Sequence, residues 1–87
     1  MEIQRTVAHN LRRLRVASEL SQDALAAEAE VDRTYVSRME RGMENPTVAI
    51  LDRLANALEV DIVEFFVRPK PGAKLPAPLR GGRKPKS

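Results

Sequence analysis

Before its proline-rich end, the chain carries apolar residues at intervals of three and four, which is the spacing of one face of an α-helix. Ile3, Val7, Leu11 and Leu14 form one such stripe, and residues 50–58 carry another. Neither the stripes nor the stretch between them show the alternation of apolar and polar residues that is typical of a half-buried strand. The pattern therefore predicts an all-α fold.

Residues that commonly cap helices divide this part of the chain into five predicted helices. A side-chain oxygen just before a helix accepts a hydrogen bond from a first-turn amide. Four such residues precede helical runs: Ser21, Asp32, Thr47 and Asp61. Glu64, three residues after the last of them, completes a capping-box pattern, and Gly42 is the left-handed residue expected after the third helix. We expect a compact five-helix domain, because the short second and third helices need partners to pack against.

Composition changes near residue 68. Five of the six prolines, three of the four glycines and seven of the fifteen basic residues follow this point, and no acidic residue does. Such a segment cannot bury enough apolar surface to offset the entropy lost on ordering. We therefore expect one domain over residues 1–67 and a disordered basic tail over residues 68–87.

The formal net charge of the whole chain is +3, and its positive sign is due to the tail. The predicted domain holds all twelve acidic residues and only eight arginines, so it is net acidic. Any attraction of the domain to nucleic acid must then come from the local arrangement of arginines. The tail either tethers the protein to DNA phosphates or only keeps it in solution, and composition alone leaves both open.

Several classes of protein are disfavoured. With no cysteine and one histidine, His9, the chain offers no disulfide, no thiolate metal site and no recognisable catalytic group. No run approaches the roughly 20 apolar residues of a membrane span, and the first residues do not read as a signal peptide. We expect a cytoplasmic protein that is not an enzyme and that binds no cofactor, metal, membrane or small-molecule ligand.

The twenty residues from Gln22 to Arg41 fit the helix-turn-helix pattern. The fit rests on Gln22, Leu25, Ala26, Val31, Val36 and Met39, together with Arg15, the run 40–42 and the run 45–47. Over residues 3 to about 67 the chain resembles the lambda-repressor-like, Cro/C1-type regulators, also called the XRE family. Residues 32–35 also look like the controller proteins of restriction–modification systems. One departure is Glu30, which stands where the family often has the glycine of the turn.

The resemblance implies that the third helix enters the major groove of double-stranded DNA. The candidates for base contacts are Arg33, Thr34, Ser37 and Arg38. Arg33 can donate two hydrogen bonds to guanine O6 and N7. The candidates for phosphate contacts are Gln22, Tyr35, Arg41, Asn45 and Thr47. The alternative is that the base-contact candidates are ordinary solvated side chains. Asp23 is an awkward neighbour for phosphate.

Two further sets of residues carry structural expectations. Arg15 and Glu40 resemble the family's internal ion pair, although Arg15 could instead be a surface arginine. The apolar cluster near the end of the domain is the candidate dimer surface: Val60, Ile62, Val63, Phe65 and Phe66. The alternative is that both phenylalanines close the core of one subunit. We expect a division, with part of the cluster in the core and part in the interface.

These expectations describe a sequence-specific transcriptional regulator that binds a twofold-symmetric operator as a homodimer, with its own promoter as a natural target. RNA polymerase is a further candidate partner. The competing function is an antitoxin-like interaction module whose main partner is another protein. The genes beside this one, or a second chain that co-purifies, would distinguish the two.

Overall fold

The computed structural model describes residues 2–69, so nearly all of the expected tail lies outside the described residues. Within the described range the fold is helical without strands, which confirms the all-α prediction. The α-helices are α1 (Glu2–Ala17), α2 (Gln22–Ala29), α3 (Arg33–Glu40) and α4 (Val48–Leu58). The predicted short fifth helix is present at Ile62–Phe66 as a 3₁₀ helix rather than an α-helix. No helix in this range is long and apolar enough to cross a membrane.

All four predicted capping residues occupy the positions that the sequence indicates. Each one accepts a hydrogen bond from a first-turn amide, at Ser21 from Ala24 (3.0 Å), at Asp32 from Thr34 (2.8 Å), at Thr47 from Ile50 (3.1 Å) and at Asp61 from Val63 (3.0 Å). Glu64 does not complete the expected capping box and instead forms an ion pair with Arg13 on α1 (3.4 Å). The helix starts are thus fixed by interactions within a few residues of chain.

The four α-helices end in the same way, with one residue in the left-handed region. These residues are Glu19 (φ 60°), Glu30 (φ 59°), Gly42 (φ 72°) and Glu59 (φ 58°). In each case the amide of the next residue donates to a carbonyl five residues earlier, as in a Schellman motif. The next residues are Leu20, Val31, Met43 and Val60, three of which pack against the core. Glu30, which stands where the family often has glycine, is therefore one of three glutamates that end a helix in the left-handed region.

The core draws on every element. One fully buried apolar side chain comes from each, namely Leu11, Leu25, Val36, Leu54 and Phe65. Placing Phe65 in the candidate dimer surface is consequently wrong, because its side chain has no exposed area left for a partner. At the other end of the fold, Ile3 is 41% exposed and continues the α1 stripe onto the surface.

A buried asparagine joins α1 to the end of the domain. Asn10 is 1% exposed, and its Nδ2 donates to the carbonyl oxygens of Phe65 (2.9 Å) and Val67 (2.6 Å). Its Oδ1 accepts a hydrogen bond from Arg13 Nε (3.2 Å). Because these bonds span more than fifty residues of chain, sequence periodicity gave no sign of them. They hold the backbone on both sides of Phe66.

Candidate nucleic-acid interface

Helix α3 presents two chemically different sides. Val36, Met39 and Glu40 are buried against the rest of the domain. The four candidates for base contacts lie on the opposite side, since positions three and four apart share one side of a helix. Of these, Arg33 and Thr34 are exposed, and Ser37 and Arg38 are half-buried. The structure therefore brings the predicted base-contact residues together on one accessible surface.

Both arginines of this surface are next to carboxylates that the sequence did not pair with them. Arg33 Nε lies 2.7 Å from Asp23 Oδ1 in the first turn of α2, and both side chains are largely exposed. Arg38 Nε donates to Glu44 Oε2 at 2.6 Å, and its Nη2 donates to the Met43 carbonyl at 3.4 Å. Arg38 thus holds the loop after α3. Neither pair has helical spacing, so only the fold reveals them.

Tyr35 lies in the same surroundings. Partial burial, and secondarily the negative charge of Glu44, raise the pKa of the Tyr35 phenol above its usual value. The ordinary pKa of a phenol, about 10, is already well above neutral pH, so the hydroxyl is protonated there with or without this shift. Tyr35 can therefore donate a hydrogen bond to an acceptor such as a phosphate oxygen.

A buried polar cluster fixes α3 to the first two helices. Arg15 and Glu40 are 3% and 5% exposed, and Arg15 donates twice to the Glu40 carboxylate, from Nε (2.5 Å) and Nη2 (3.0 Å). Arg15 Nη1 also donates to the Leu20 carbonyl (2.9 Å). Glu40 Oε1 accepts a further bond from Gln22 Nε2 (3.1 Å). The cluster sets the distance and direction between α1, α2 and α3.

The candidates for phosphate contacts surround α3. Gln22 is at the start of α2 with one amide hydrogen used by Glu40, and an NH₂ group has a second to donate. Arg41 directly follows α3 and is exposed, as are Asn45 and Thr47 in the segment before α4. Thr47 Oγ1 accepts the α4 capping bond, which leaves its hydroxyl hydrogen available. Gln22 donates to Glu40 at the end of α3, which is the residue directly before Arg41.

A second surface is apolar. Val63 and Phe66 are 58% and 44% exposed, whereas Val60 and Ile62 are half-buried and pack against the core. Phe66 shares a cavity of about 190 Å³ with Ile3, Val48 and Leu51. The predicted cluster is therefore divided by the 3₁₀ helix, with Phe65 inside and Val63 and Phe66 outside.

Over residues 2–69, no three histidine or carboxylate side chains are grouped in a way that could hold a metal ion. The chemistry of the α3 surface is instead that of guanidinium, hydroxyl and amide donors. These are the groups that reach base edges and phosphates in protein–DNA contacts.

Comparison with known proteins points to one family. Residues 11–65 match the family model described as Helix-turn-helix. The HTH-type transcriptional regulator y4dJ of Sinorhizobium fredii, described as uncharacterized, is 41% identical over 65 residues, which are 75% of this chain and 84% of the relative. The restriction–modification controller protein C.AhdI of Aeromonas hydrophila has a TM-score of 0.74 at 36% identity, covering 76% of this chain and 100% of that one.

A controller protein solved with DNA is also similar. The C.Esp1396I tetramer in complex with its natural 35-base-pair operator has a TM-score of 0.70 at 32% identity. The match covers 76% of this chain and 87% of that one.

Proposed function

This chain belongs to the Cro/C1-type, or XRE, family of helix-turn-helix transcriptional regulators, and from that premise we propose that it binds a twofold-symmetric operator as a homodimer and regulates its own promoter. The observation that carries the proposal is the outer side of α3. There, donor-bearing side chains share one accessible surface on a helix whose other side is buried. RNA polymerase is a further proposed partner of the DNA-bound protein.

Base reading is assigned to that outer side of α3. Arg33 donates a pair of bonds to guanine O6 and N7, and Thr34 offers a hydroxyl and a methyl group to the adjacent base. Ser37 lies one turn after Arg33 and reaches the same groove. Arg38, whose Nε and Nη2 already hold the loop at 43–44, has Nη1 left for a base or a phosphate.

Phosphate contacts fix the register of α3 in the groove. We assign them to Gln22, Tyr35, Arg41, Asn45 and Thr47. Support comes from the free donors on these residues and from the buried Arg15–Glu40 pair, which orients Gln22 through Glu40 Oε1. The start of α2 adds unpaired backbone amides and the positive end of the helix dipole, both of which attract an anion.

The dimer is assigned to the second surface, centred on Val63 and Phe66. Exposed apolar side chains on the final element suit a self-complementary contact between two copies. Dimers of helix-turn-helix domains read half-sites about 34 Å apart, one turn of DNA. The related C.Esp1396I is a tetramer on its operator, which supports binding by more than one copy here.

Selection of binding sites from random double-stranded DNA, using the full chain, tests the proposal. We expect enrichment of an inverted repeat that contains a guanine at the same position in each half. Arg33→Ala should lower affinity for the enriched site and remove the preference for that guanine, a loss of about 1–3 kcal/mol in discrimination.

The matched control is Arg53→Ala, which removes the same charge from the exposed part of α4. Arg53 contacts the Glu30 carbonyl through Nη1 at 3.3 Å and belongs to neither proposed contact set. It should leave the guanine preference unchanged. Failure to enrich any site, together with stable co-purification of a second protein, would favour the antitoxin-like interaction module instead.

A further inference from the structure

The carboxylate of Asp23 stands against the predicted base-reading arginine. Asp23 Oδ1 lies 2.7 Å from Arg33 Nε, between the first turn of α2 and the first residue of α3. A negative charge suits the first turn of a helix, but on the proposed DNA surface it also repels phosphate. We propose that Asp23 sets the base specificity of the protein by holding Arg33 Nε and so directing the other two guanidinium nitrogens at guanine. This inference rests on the proposed function, in which Arg33 reads a guanine.

The donor inventory allows both contacts at once. A guanidinium has five N–H groups, one on Nε and two on each Nη. The closest approach of Asp23 is to Nε, and Nη1 and Nη2 carry the parallel hydrogens that match guanine O6 and N7. The aspartate and the base therefore do not compete for the same donors.

Arg38 makes a useful contrast. Its Nε donates to Glu44 and its Nη2 to the Met43 carbonyl, so two sides of that guanidinium are occupied by the loop. Arg33 is the arginine whose pairing leaves the bidentate end free. In this proposal Arg38 mainly holds the loop, with Nη1 left for a base or a phosphate, and Arg33 reads the guanine.

In the free protein the Asp23–Arg33 pair contributes little, since the two side chains are 71% and 68% exposed and water screens their charges. In the groove, water is displaced and the attraction strengthens. A restrained arginine also loses less conformational freedom on binding. The benefit of Asp23 therefore arises in the complex rather than in folding.

The negative charge of Asp23 should raise the specificity of DNA binding more than its affinity. Between Gln22 and Arg41 there are five acidic and three basic residues, so the motif as a whole does not attract phosphate strongly. Asp23 cancels the charge of Arg33 for non-specific DNA, where charge dominates binding. At a guanine the directed bonds remain. The predicted outcome is a larger ratio of operator to non-specific affinity.

The test measures dissociation constants of the full chain at one fixed salt concentration. Three duplexes are used, namely the site enriched from random DNA, the same site with adenine for the guanine read by Arg33, and a random sequence. Asp23→Ala and Asp23→Asn should reduce the preference for guanine over adenine about tenfold, which is about 1.4 kcal/mol. Both variants should also bind the random duplex more tightly than the unaltered protein.

Asp52→Ala is the matched control, because it removes the same charge from an exposed position on α4. It should leave the guanine preference unchanged. In an Arg33→Ala background, Asp23→Ala should no longer alter that preference. Because Asp23 is exposed, melting temperatures should stay close to that of the unaltered protein.

Two results would overturn the inference while leaving the proposed function intact. One is that the Asp23 variants bind all three duplexes more tightly by the same factor, which makes Asp23 only a repulsive charge. The other is an unchanged guanine preference. If Arg33→Ala itself keeps the preference, then Arg33 does not read the guanine, and both the proposed function of that residue and this inference fail.

Discussion

At the scale of single residues, the cluster around Arg15 joins stability to DNA recognition. Arg15 makes three hydrogen bonds, two to Glu40 and one to the Leu20 carbonyl. Glu40 accepts a further hydrogen bond from the Gln22 side chain. Ions out of water are tolerated only when their hydrogen-bonding groups have partners. Here the hydrogen-bond partners come from α1, α2, α3 and the loop between α1 and α2. The same contacts that satisfy the two buried charges therefore also orient Gln22, a candidate for a phosphate contact.

Removing one member of this pair should be costly. Arg15→Ala leaves the Glu40 carboxylate buried without its partner, and we expect a loss of about 3–5 kcal/mol in the free energy of unfolding. Thermal or urea unfolding measures it. Arg5→Ala, on an exposed position of the same helix, should change stability by less than about 0.5 kcal/mol. An unaltered melting temperature for Arg15→Ala would contradict the structural role.

The apolar replacement of both partners provides a second check on the mechanism. Arg15→Met combined with Glu40→Leu leaves no buried charge, so the double variant should be more stable than Arg15→Ala. If the double variant were the less stable of the two, an unpaired buried carboxylate would not be the cause of the loss in Arg15→Ala.

At the scale of elements, the helix ends share a pattern that is visible in the sequence once the structure explains it. Glutamate followed by an apolar residue occurs at 19–20, 30–31 and 59–60, and each pair closes a helix with a left-handed residue and a core contact. Glycine takes this conformation freely, whereas other residues pay for the crowding of their Cβ. Three of the four helix ends therefore carry a small backbone strain.

Glu30→Gly should relieve that strain in the turn between α2 and α3. The left-handed conformation costs a non-glycine residue about 1–2 kcal/mol. Glycine removes this cost, but it loses more conformational entropy on folding, which offsets about 0.5–1 kcal/mol of the gain. We expect a gain of up to about 1 kcal/mol, which is roughly 4–8 °C in melting temperature for a domain of this size.

The control for this prediction lies two residues earlier. Glu28→Gly removes the same side chain from the last turn of α2, where the residue is still helical and glycine costs up to about 1 kcal/mol. The two substitutions should thus shift the melting temperature in opposite directions. A fall for both would mean that Glu30 is not strained and that the turn needs its side chain.

At this scale the sequence predicted the interactions between residues that are close in the chain and missed those between distant segments. The caps at Ser21, Asp32, Thr47 and Asp61 depend on neighbours two or three residues away, and all four were predicted. The contacts of Asn10 with Phe65 and Val67, and of Arg33 with Asp23, depend on how distant segments pack, and no periodicity encodes them.

The last element shows the same division. Its start was predicted from Asp61, but its 3₁₀ form and the inward turn of Phe65 come from packing against α1 and α4. The candidate base contacts could be placed because they follow from one helix. Their carboxylate neighbours could not be placed, because Asp23 and Glu44 reach α3 from other parts of the chain.

At the scale of the whole molecule, the size of the domain bears on the proposed dimer. The described domain measures 33 × 32 × 22 Å. One domain of this size can therefore stand on each of two half-sites roughly 34 Å apart on one side of the duplex. The exposed Val63 and Phe66 belong to the 3₁₀ helix, which packs against α1 and α4.

Phe66→Glu tests whether this surface holds the dimer. A carboxylate facing its symmetry mate across an apolar contact would be both desolvated and repelled, so the variant should sediment as a monomer where the unaltered protein is a dimer. The fold should survive, because Phe66 is 44% exposed whereas Phe65, with no exposure, fills the core. Operator affinity should fall about 100-fold or more, since the second half-site would no longer be bound by a linked copy.

Asn56→Glu places the same charge on an exposed position of α4 and should preserve both the dimer and the operator affinity. Sedimentation equilibrium at several concentrations, paired with operator titrations, separates loss of assembly from loss of reading. If Phe66→Glu stays dimeric, the subunit contact lies elsewhere on the domain. If the unaltered protein is monomeric even at concentrations that saturate the operator, the two halves of the site are read independently, and the exposed apolar surface must serve a different partner.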